Sequence, residues 1–467
     1  MADHVIKNFD ELLSKAADPR DRKARKIALT LLEEALKASD PRTALRKNLR
    51  LSRDEITLRV GADCIKLQKS SRIYIVGGGK ASGAMAEEAE KLLGKKIAGG
   101  CVSILRGTRN MFNTKLVELR ESSHPIPRSD SLEATQSILS LVDKASPGDL
   151  ILCLISGGGS ALICLPPPEV PLAELQAVIE MLQKHGVTIN ELNTVRKHIS
   201  LVKGGKLAEK AVSKGCEVVS IILSDVVGDP IDVIASGPTA PDTTTYGDAI
   251  KVLERHGLWE KAPENIRKYL SMGADGNISE TPKPTSSLFN HVHNLIVGSD
   301  RQACSAAHAK AREFKLNSLV LSTMVEGEAR EVGKFIGAMG KQIAKYNSPL
   351  TKPAAIILGG ETTVTVHGRG LGGRNQELAL SALRSIESVS GITVASMGTD
   401  GVDGPTDAAG AIVDSSVSRV ARMKELDMDQ YLASNDSNNF FKTLGDGLIV
   451  TGPTGTNVND VMVIIAL

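Results

Sequence analysis

The sequence contains few aromatic residues and has nearly balanced charges. Phe, Trp and Tyr make up 3% of its 467 residues, and 56 Lys and Arg residues oppose 54 Asp and Glu residues, for a net charge of +2. A nucleic-acid-binding surface combines basic patches with aromatic side chains that stack on bases, and an acidic membrane surface attracts strongly basic segments. The composition therefore argues against both nucleic acid and membrane as partners.

Paired cysteines and long apolar runs are also absent. The six cysteines are widely spaced without a C-x-x-C pair, and most lie in or beside apolar segments. No apolar run approaches the roughly 20 residues that cross a bilayer, and the N-terminus lacks a signal-peptide core. We expect buried, reduced thiols rather than disulfides or a zinc site, in a soluble, cytoplasmic protein.

The length predicts two or three domains. Apolar strands, glycine loops and amphipathic helices alternate on both sides of a stretch that is richer in proline and threonine, residues 241–287. We interpret this stretch as a linker region between an N-terminal domain, residues 1–240, and a C-terminal domain, residues 288–467. In the first helical segment we expect a solvated basic face, formed by Arg20, Arg22, Lys23, Arg25 and Lys26.

A strand–glycine–helix unit contains the first candidate site residue. Ile73–Val76 is typical of a short apolar strand, Gly77–Gly79 of a tight loop, and residues 81–93 of an amphipathic helix. Lys80 stands at the start of that helix, where the helix dipole disfavours a cation unless an anion is bound. We predict that Lys80 serves an anionic ligand; a lysine that only packs at the turn is the alternative.

A second glycine loop follows the buried strand predicted over Leu150–Ile155. It combines two hydroxyls with three glycines: Ser156, Gly157, Gly158, Gly159 and Ser160. The backbone N–H groups of such a loop can surround phosphate oxygens. The chain has no G-x-x-x-x-G-K-[ST] motif, so this is not a P-loop. We predict a phosphate-binding loop in preference to a plain strand–helix turn.

Two further polar groups follow predicted elements of the same domain. Asn193 and Arg196 lie one helical turn apart and can line a cleft together, although a solvated helix face is the alternative. Asp225 and Asp229 follow the buried strand Val218–Leu223, at the end where α/β proteins place ligand groups. They can hold Mg²⁺, which prefers one or two carboxylates with phosphate and water oxygens, or they can cap turns.

The C-terminal domain repeats the pattern of a cation at a helix start. The apolar residues Ile356–Leu358 and the alternating residues 363–367 predict a β-hairpin, and a glycine-rich loop then leads into a helix with Asn375 as its N-cap. Arg374 stands where that helix begins. It either binds a negatively charged ligand or pairs with a carboxylate such as Glu361 or Glu377.

Three acidic residues follow the next predicted strand in a glycine-rich loop. They are Asp400, Asp403 and Asp407. Such residues can bind a metal or cap turns, and the pattern alone leaves both roles open.

Seven motifs occur in a fixed order and carry a family resemblance. They are VGGGKASG, ISGGGSALI, ELNTVRKHIS-x-x-KGGKLA, LSDVVGDP-x-x-VIASGPT, LGGETTVTV-x-G-x-G-x-GGRNQELAL, GTDGVDGPTDAAG and VTGPTGTNVND. Together they resemble the class II glycerate kinases, also called glycerate 2-kinases. The last three resemble the C-terminal domain known as MOFRL, and the resemblance runs from about residue 10 to the end.

This resemblance implies an α/β fold and a kinase reaction. It implies an N-terminal Rossmann-like domain with a mostly parallel sheet and a smaller C-terminal α/β domain with a mixed sheet, with a cleft between them. The implied reaction is the ATP-dependent phosphorylation of D-glycerate to 2-phosphoglycerate with Mg²⁺ or another divalent metal. Of the two phosphorylation positions, only the resemblance favours position 2.

The resemblance also assigns roles to the residues described above. Lys80 and Arg374 correspond to the active-site residues of the family, and the loop from Ser156 to Ser160 is the expected nucleotide phosphate site. We expect the following residues to contact the substrate: Gly78, Gly79, Asn193, Arg196 and Asn375. The metal ligands are expected to be Asp225 and Asp229, or alternatively Asp400 and Asp403.

Two other functions are consistent with parts of the pattern. An NAD(P)-dependent hydroxypyruvate reductase would use strand–glycine–helix units, but Ser82 stands where the dinucleotide fingerprint has its third glycine. A non-catalytic binder of small organic acids would explain the anion sites but not the nearby aspartates. The sequence does not determine the oligomeric state; a homodimer is one assembly consistent with it.

Overall fold

The computed structural model describes residues 4–51, 56–60, 63–67, 72–387 and 389–467. The α-helices are α1 (Phe9–Lys15), α2 (Pro19–Ser39), α3 (Pro41–Asn48), α4 (Ser82–Leu93), α5 (Ser129–Asp143), α6 (Gly159–Leu162), α7 (Leu172–Lys184), α8 (Ile189–His198), α9 (Lys206–Ser213), α10 (Tyr246–Arg255), α11 (Glu264–Ala274), α12 (Asp300–Glu313), α13 (Ala329–Tyr346), α14 (Arg374–Ile386), α15 (Ser415–Met423), α16 (Met428–Ala433) and α17 (Ser437–Leu444).

The strands are β1 (Leu49–Leu51), β2 (Ile56–Val60), β3 (Asp63–Leu67), β4 (Ile73–Gly78), β5 (Ile97–Leu105), β6 (Val117–Ser122), β7 (Leu150–Ser156), β8 (Glu217–Leu223), β9 (Val292–Gly298), β10 (Asn317–Val325), β11 (Ala354–Gly360), β12 (Ile392–Gly398), β13 (Gly410–Val413), β14 (Leu448–Ile449) and β15 (Asp460–Ala466). None of the helices that the structure describes is long and apolar enough to cross a membrane.

The chain forms two compact units. The central unit contains Pro41–Val297, and the terminal unit contains Met1–Asp40 together with Gly298–Leu467. This division differs from the predicted domains because the first forty residues group with the C-terminal part of the chain. It also extends the central unit through the segment predicted as a linker.

The sheet of the central unit explains where a ligand site is expected. Its strand order is β6–β5–β4–β7–β8–β9, and the pairings from β6 through β8 are parallel. All residues of β4 and β7 are buried, as is usual when helices cover both faces. The order of the strands reverses between β4 and β7, and open α/β sheets bind ligands at the carboxyl ends of strands at such a point. The two glycine loops follow these two strands.

The stretch predicted as a linker is instead part of the core of the central unit. It contains α10 and α11, whose Tyr246, Leu253 and Ile266 are at most 1% exposed and pack in one apolar cluster with residues of α7 and α8. The prolines and glycines that suggested a linker lie mainly between and beyond these helices.

The terminal unit has the mixed sheet that the resemblance implies. Its strand order is β10–β11–β15–β12–β13–β14, in which only the β10–β11 pairing is parallel. The predicted hairpin after Ile356 is wrong, because β11 pairs with β10 and β15. In the second predicted strand, the Thr365 N–H donates to the Glu328 carboxylate and the His367 N–H to the Asn435 side chain. Thr363 forms an isolated parallel bridge with Glu328, and side chains satisfy the N–H groups of Thr365 and His367 in place of a longer strand ladder.

Arg25 shows why the N-terminal helices belong to the terminal unit. Its guanidinium is fully buried and contacts Asp414 at 2.6 Å and Asp446 at 2.9 Å, and it also donates to the Leu12 carbonyl at 2.8 Å. The prediction that Arg25 lies on a solvated face is wrong, because these two carboxylates compensate its charge in the interior.

The expectation for the cysteines is confirmed where their side chains are described. All five are buried and free: Cys101, Cys153, Cys164, Cys216 and Cys304. Cys64 lies outside the residues whose side chains the structure describes.

Candidate active site

In the central unit, Lys80 lies where the sheet reverses its strand order. The Lys80 N–H donates to the Gly157 carbonyl at 2.8 Å, which joins the loop after β4 to the loop after β7. The Lys80 side chain is exposed, and its ammonium forms no hydrogen bond or ion pair with any residue that the structure describes. Lys80 is therefore free to meet an anion, and its predicted role in binding an anionic ligand stays a prediction.

Gly78 and Gly79 are required by packing at the end of β4. A Cβ atom on Gly78 would lie 2.8 Å from the Ile163 side chain, and one on Gly79 would lie 2.2 Å from Ser156 Oγ. Gly79 also has a φ of +149°, which side chains rarely allow. These contacts explain both glycines without a ligand, and their predicted contact with the substrate stays a prediction.

Ser156 uses its hydroxyl within the protein. The residue is 1% exposed, and its Oγ accepts a hydrogen bond from the Ala81 N–H at 3.0 Å and lies 3.1 Å from Ser82 Oγ. The hydroxyl therefore satisfies a free donor at the start of α4. The sequence pattern did not distinguish this capping role from a phosphate contact.

The remainder of the second loop is closely surrounded by three polar side chains. A Cβ atom on Gly157 would lie 1.8 Å from Asp225 Oδ2, and one on Gly158 would lie 3.1 Å from Lys80 Cγ and 3.2 Å from His124 Cδ2. Among the described residues, the N–H groups of Gly157 and Gly158 have no hydrogen-bond acceptor. The loop thus presents two free donors next to Lys80, His124 and Asp225.

His124 is a site residue that sequence reasoning did not single out. It follows β6, so a signal existed in its position after a parallel strand. Burial, and then the charge of Lys80, lower the pKa of His124 below its ordinary value. This shift favours the neutral form of the imidazole.

Ser160 and Asn193 are connected through a residue from another loop. Ser160 Oγ lies 2.8 Å from Ser236 Oγ, and Ser236 Oγ donates to Asn193 Oδ1 at 2.8 Å. Asn193 is 2% exposed, so the structure uses it to hold this group of hydroxyls in place. Arg196 lines a small pocket beside Ser160.

The two predicted metal ligands after β8 differ in their surroundings. Asp225 lies against the glycine loop, as described above, whereas Asp229 is a partly exposed turn residue with a φ of +57°. No group of three or more His, Cys, Asp and Glu residues among the described residues could hold a metal by itself.

In the terminal unit, Arg374 is paired with carboxylates. Nε donates to Asp460 Oδ2 at 2.6 Å, Nη2 to Asp460 Oδ1 at 2.9 Å, and Nη1 to Glu361 Oε1 at 2.8 Å. The alternative in which Arg374 pairs with Glu361 is confirmed, and Asp460 is a partner that the sequence did not predict. Burial raises the pKa of both Asp460 and Glu361.

Arg374 lines a pocket of about 860 Å³ that is rich in acids. Its other charged lining residues are Glu326, Glu361, Glu377 and Asp400. One guanidinium faces four carboxylates there, so the pocket favours an anion only when a further cation accompanies it.

Asn375 and Asp403 lie at the start of α14, where the predicted N-cap role of Asn375 is wrong. Gly373 is the N-cap residue, and the Asp403 carboxylate accepts hydrogen bonds from the N–H groups of Asn375 at 3.0 Å and Gln376 at 2.9 Å. The Gln376 side chain also donates to it at 2.9 Å. Burial raises the pKa of Asp403 to about 6. Donors engage both of its oxygens, and the predicted roles of Asp403 in metal binding and of Asn375 in substrate binding stay predictions.

Comparisons with known proteins identify the family of the chain. Residues 27–271 match a family described as a domain of unknown function, DUF4147, and residues 354–460 match the MOFRL family. The D-glycerate 2-kinase of Thermotoga maritima is 41% identical over 447 residues, covering 96% of this chain and 99% of the relative. The glycerate 2-kinase of Pyrococcus horikoshii is 40% identical over 442 residues, covering 94% and 97%.

A solved structure extends the similarity to the fold. The crystal structure of the Thermotoga maritima glycerate kinase superposes with a TM-score of 0.83 at 40% identity, and the match covers 95% of this chain and 99% of that one. With two family models matched in order and relatives similar over nearly their full length, the chain belongs to the glycerate 2-kinase family and carries its MOFRL domain.

Proposed function

We propose that this protein transfers the γ-phosphoryl group of ATP to the 2-hydroxyl of D-glycerate, giving ADP and 2-phosphoglycerate. Membership of the glycerate 2-kinase family supports this reaction. The structural observation that carries it concerns the point where the sheet reverses its order. There, Lys80 and the N–H groups of the adjacent glycine loop have no partner among the residues that the structure describes. This arrangement suits a phosphorylated ligand.

The glycine loop and Lys80 bind the nucleotide phosphates in this proposal. Phosphoryl transfer depends mainly on positioning and on neutralising charge around the moving group. The N–H groups of Gly157 and Gly158 hold phosphate oxygens, and the Lys80 ammonium neutralises charge on the transferred group. Because Lys80 has no partner among the described residues, it binds the phosphate without first giving up an ion pair.

The residues around the loop also fit a magnesium ion. Mg²⁺ binds through one or two carboxylates together with phosphate oxygens and water, and Asp225 provides one carboxylate against Gly157. Asp229 is the second candidate ligand. When bound, Mg²⁺ would supply positive charge at the β- and γ-phosphates.

Arg374 is proposed as an active-site residue on the strength of the family motif GGRNQE. Its guanidinium has five N–H groups, and its bonds to Asp460 and Glu361 use three of them. The others can contact the glycerate carboxylate or the phosphoryl oxygens. Asp460 and Glu361 then serve to orient the guanidinium plane.

A coupled assay tests the reaction directly. ADP release is measured with ATP and Mg²⁺ in the presence and absence of D-glycerate, and ³¹P NMR identifies the phosphorylated position. The proposal requires ADP release that depends on D-glycerate and a 2-phosphoglycerate product. Oxidation of NADPH with hydroxypyruvate, without ADP release from glycerate, would support the reductase instead. The cytoplasmic location and the homodimer stay predictions from the sequence.

A further inference from the structure

Two cationic side chains of the central unit lie together without an acidic partner. Arg196 belongs to α8, and Lys203 lies in the loop that follows α8. Lys203 is 3% exposed, and its ammonium donates to the Ile163 carbonyl. Within the described part of the chain, neither side chain forms an ion pair with a carboxylate.

Two fully buried cations elsewhere among the described residues are paired. The Lys197 ammonium contacts Asp232 at 2.9 Å and Asp242 at 3.4 Å, and Arg25 contacts Asp414 and Asp446. Burying a charge without a counter-charge is strongly unfavourable, because the lost hydration is not replaced. Placing two like charges together adds repulsion to this cost. An arrangement of this kind is expected where a ligand supplies the missing negative charge.

The surroundings of the two cations limit what the ligand can be. Together with Ser160, Ser200 and Cys164 they line a small pocket with room of about 10 Å³. This is about the space of one water molecule, so the pocket admits one oxygen atom but not a phosphate tail. Burial lowers the pKa of Lys203 to about 8, and the charge of Arg196 contributes to this shift.

The pocket lies beside the glycine loop that is proposed to bind the nucleotide phosphates. Ser160 ends the glycine loop that is proposed to bind the nucleotide phosphates, and Pro125, another lining residue, follows His124. An acceptor with one carboxylate oxygen in this pocket would therefore lie beside the loop.

We infer that Arg196 and Lys203 form a carboxylate subsite that holds one oxygen of the acceptor's carboxylate, with Ser160 at its edge. The inference rests on the proposed function, because it assigns the subsite to the acceptor of that reaction. Neither Arg25 nor Lys197 could serve in this way, because their charges are already compensated inside the protein.

The test pairs a change in the protein with a change in the ligand. D-Glycerate and D-glyceramide, in which a neutral amide replaces the carboxylate, are compared as acceptors for wild type, Lys203→Met and Lys203→Arg. We expect Lys203→Met to reduce the preference for D-glycerate at least about tenfold, the effect of one lost charged contact. The KM for ATP is expected to stay unchanged, and Lys203→Arg is expected to keep part of the preference. An unchanged preference, or a rise in the KM for ATP alone, would overturn the inference.

Melting experiments without ATP separate this inference from the proposed function. D-Glycerate should raise the Tm of wild type more than D-glyceramide does, and this difference should disappear in Lys203→Met.

Without ligand, Lys203→Met should melt no lower than wild type, whereas the control Lys197→Met, which leaves Asp242 uncompensated, should melt lower. A wild-type protein that binds D-glycerate in this way but releases no ADP would contradict the proposed function and support the subsite. A persistent difference in Lys203→Met would contradict the subsite.

Discussion

Arg374 and Asp460 form a bidentate ion pair, with two parallel hydrogen bonds of 2.6 and 2.9 Å between guanidinium and carboxylate. The pair joins the first residue of α14 to the first residue of β15. The Asp460 side chain is 0% exposed, whereas that of Arg374 is 31% exposed. A residue that we propose for the active site therefore also compensates a buried charge.

Replacing Arg374 by alanine should lower both stability and activity. The substitution leaves Asp460 buried without a counter-charge, so we expect the free energy of unfolding to fall by about 3 kcal/mol, measured by urea denaturation. The double variant Arg374→Ala/Asp460→Asn removes the orphaned charge and should recover most of that loss. Its rate of ADP release should stay low, because the guanidinium is still missing. Recovery of both properties would show that Arg374 has only a structural role.

Lys80→Ala should affect activity alone. The Lys80 side chain is exposed and has no polar partner among the described residues, so its removal should leave the urea midpoint unchanged. Loss of a cation that neutralises the transferred phosphoryl group should lower kcat by roughly 100-fold or more. Lys91→Ala, on the exposed face of α4, is the matched control. Equal rates for the two variants would remove Lys80 from the mechanism.

The sequence predicted those parts of the structure that depend on local patterns. Hydrophobic periodicity and the positions of the glycines were sufficient to predict the strands around Ile73 and Leu150 and the glycine loops and helices that follow them. Each of these elements is encoded within a short stretch of sequence. The place of Lys80 followed from the same local pattern. The family motifs added the two-unit organisation and the reaction.

The remaining features depend on partners that are distant in the chain. Asp460 lies 86 residues from Arg374, and Asp414 lies 389 residues from Arg25, so no local pattern could indicate that these cations are paired. The alternating residues after Gly360 indicated a strand, but Glu328 and Asn435 bind their backbone instead. Lys203 was overlooked because a basic segment is usually solvated.

Gly157→Ala should disrupt the site through Asp225. The added methyl group would lie 1.8 Å from Asp225 Oδ2, so the carboxylate or the loop must move. A displacement of about 1 Å in an active site can lower the rate by roughly 100-fold, and we expect a loss of that size in kcat/KM. The control is Gly247→Ala in α10, where the nearest atom to the new Cβ is 3.6 Å away. It should leave the rate unchanged and stabilise the helix by about 0.5–1 kcal/mol.

Arg25→Met should destabilise the terminal unit. The substitution leaves Asp414 and Asp446 buried without their shared cation, at an expected loss of about 3–5 kcal/mol in the free energy of unfolding. Lys26→Met changes the next residue of α2, which is exposed, and should alter stability by less than about 0.5 kcal/mol. Chemical denaturation of both variants at pH 7 measures the difference. Equal midpoints would contradict the structural role assigned to Arg25.

The pH dependence of D-glycerate binding should report the charge of Lys203. Burial lowers the pKa of this lysine to about 8 in the unliganded protein, so the ammonium that binds the carboxylate is present below pH 8 and is lost above it. The other two titratable groups facing the pocket do not change charge in this range: burial lowers the pKa of Arg196 only to about 10, and burial raises the pKa of the Cys164 thiol. The KM for D-glycerate should therefore rise by up to about tenfold per pH unit above pH 8, while the KM for ATP follows a different profile. Lys203→Met should have a high KM for D-glycerate that does not change between pH 7 and 9. If the KM of this variant rises above pH 8 as it does in wild type, another titrating group causes the rise.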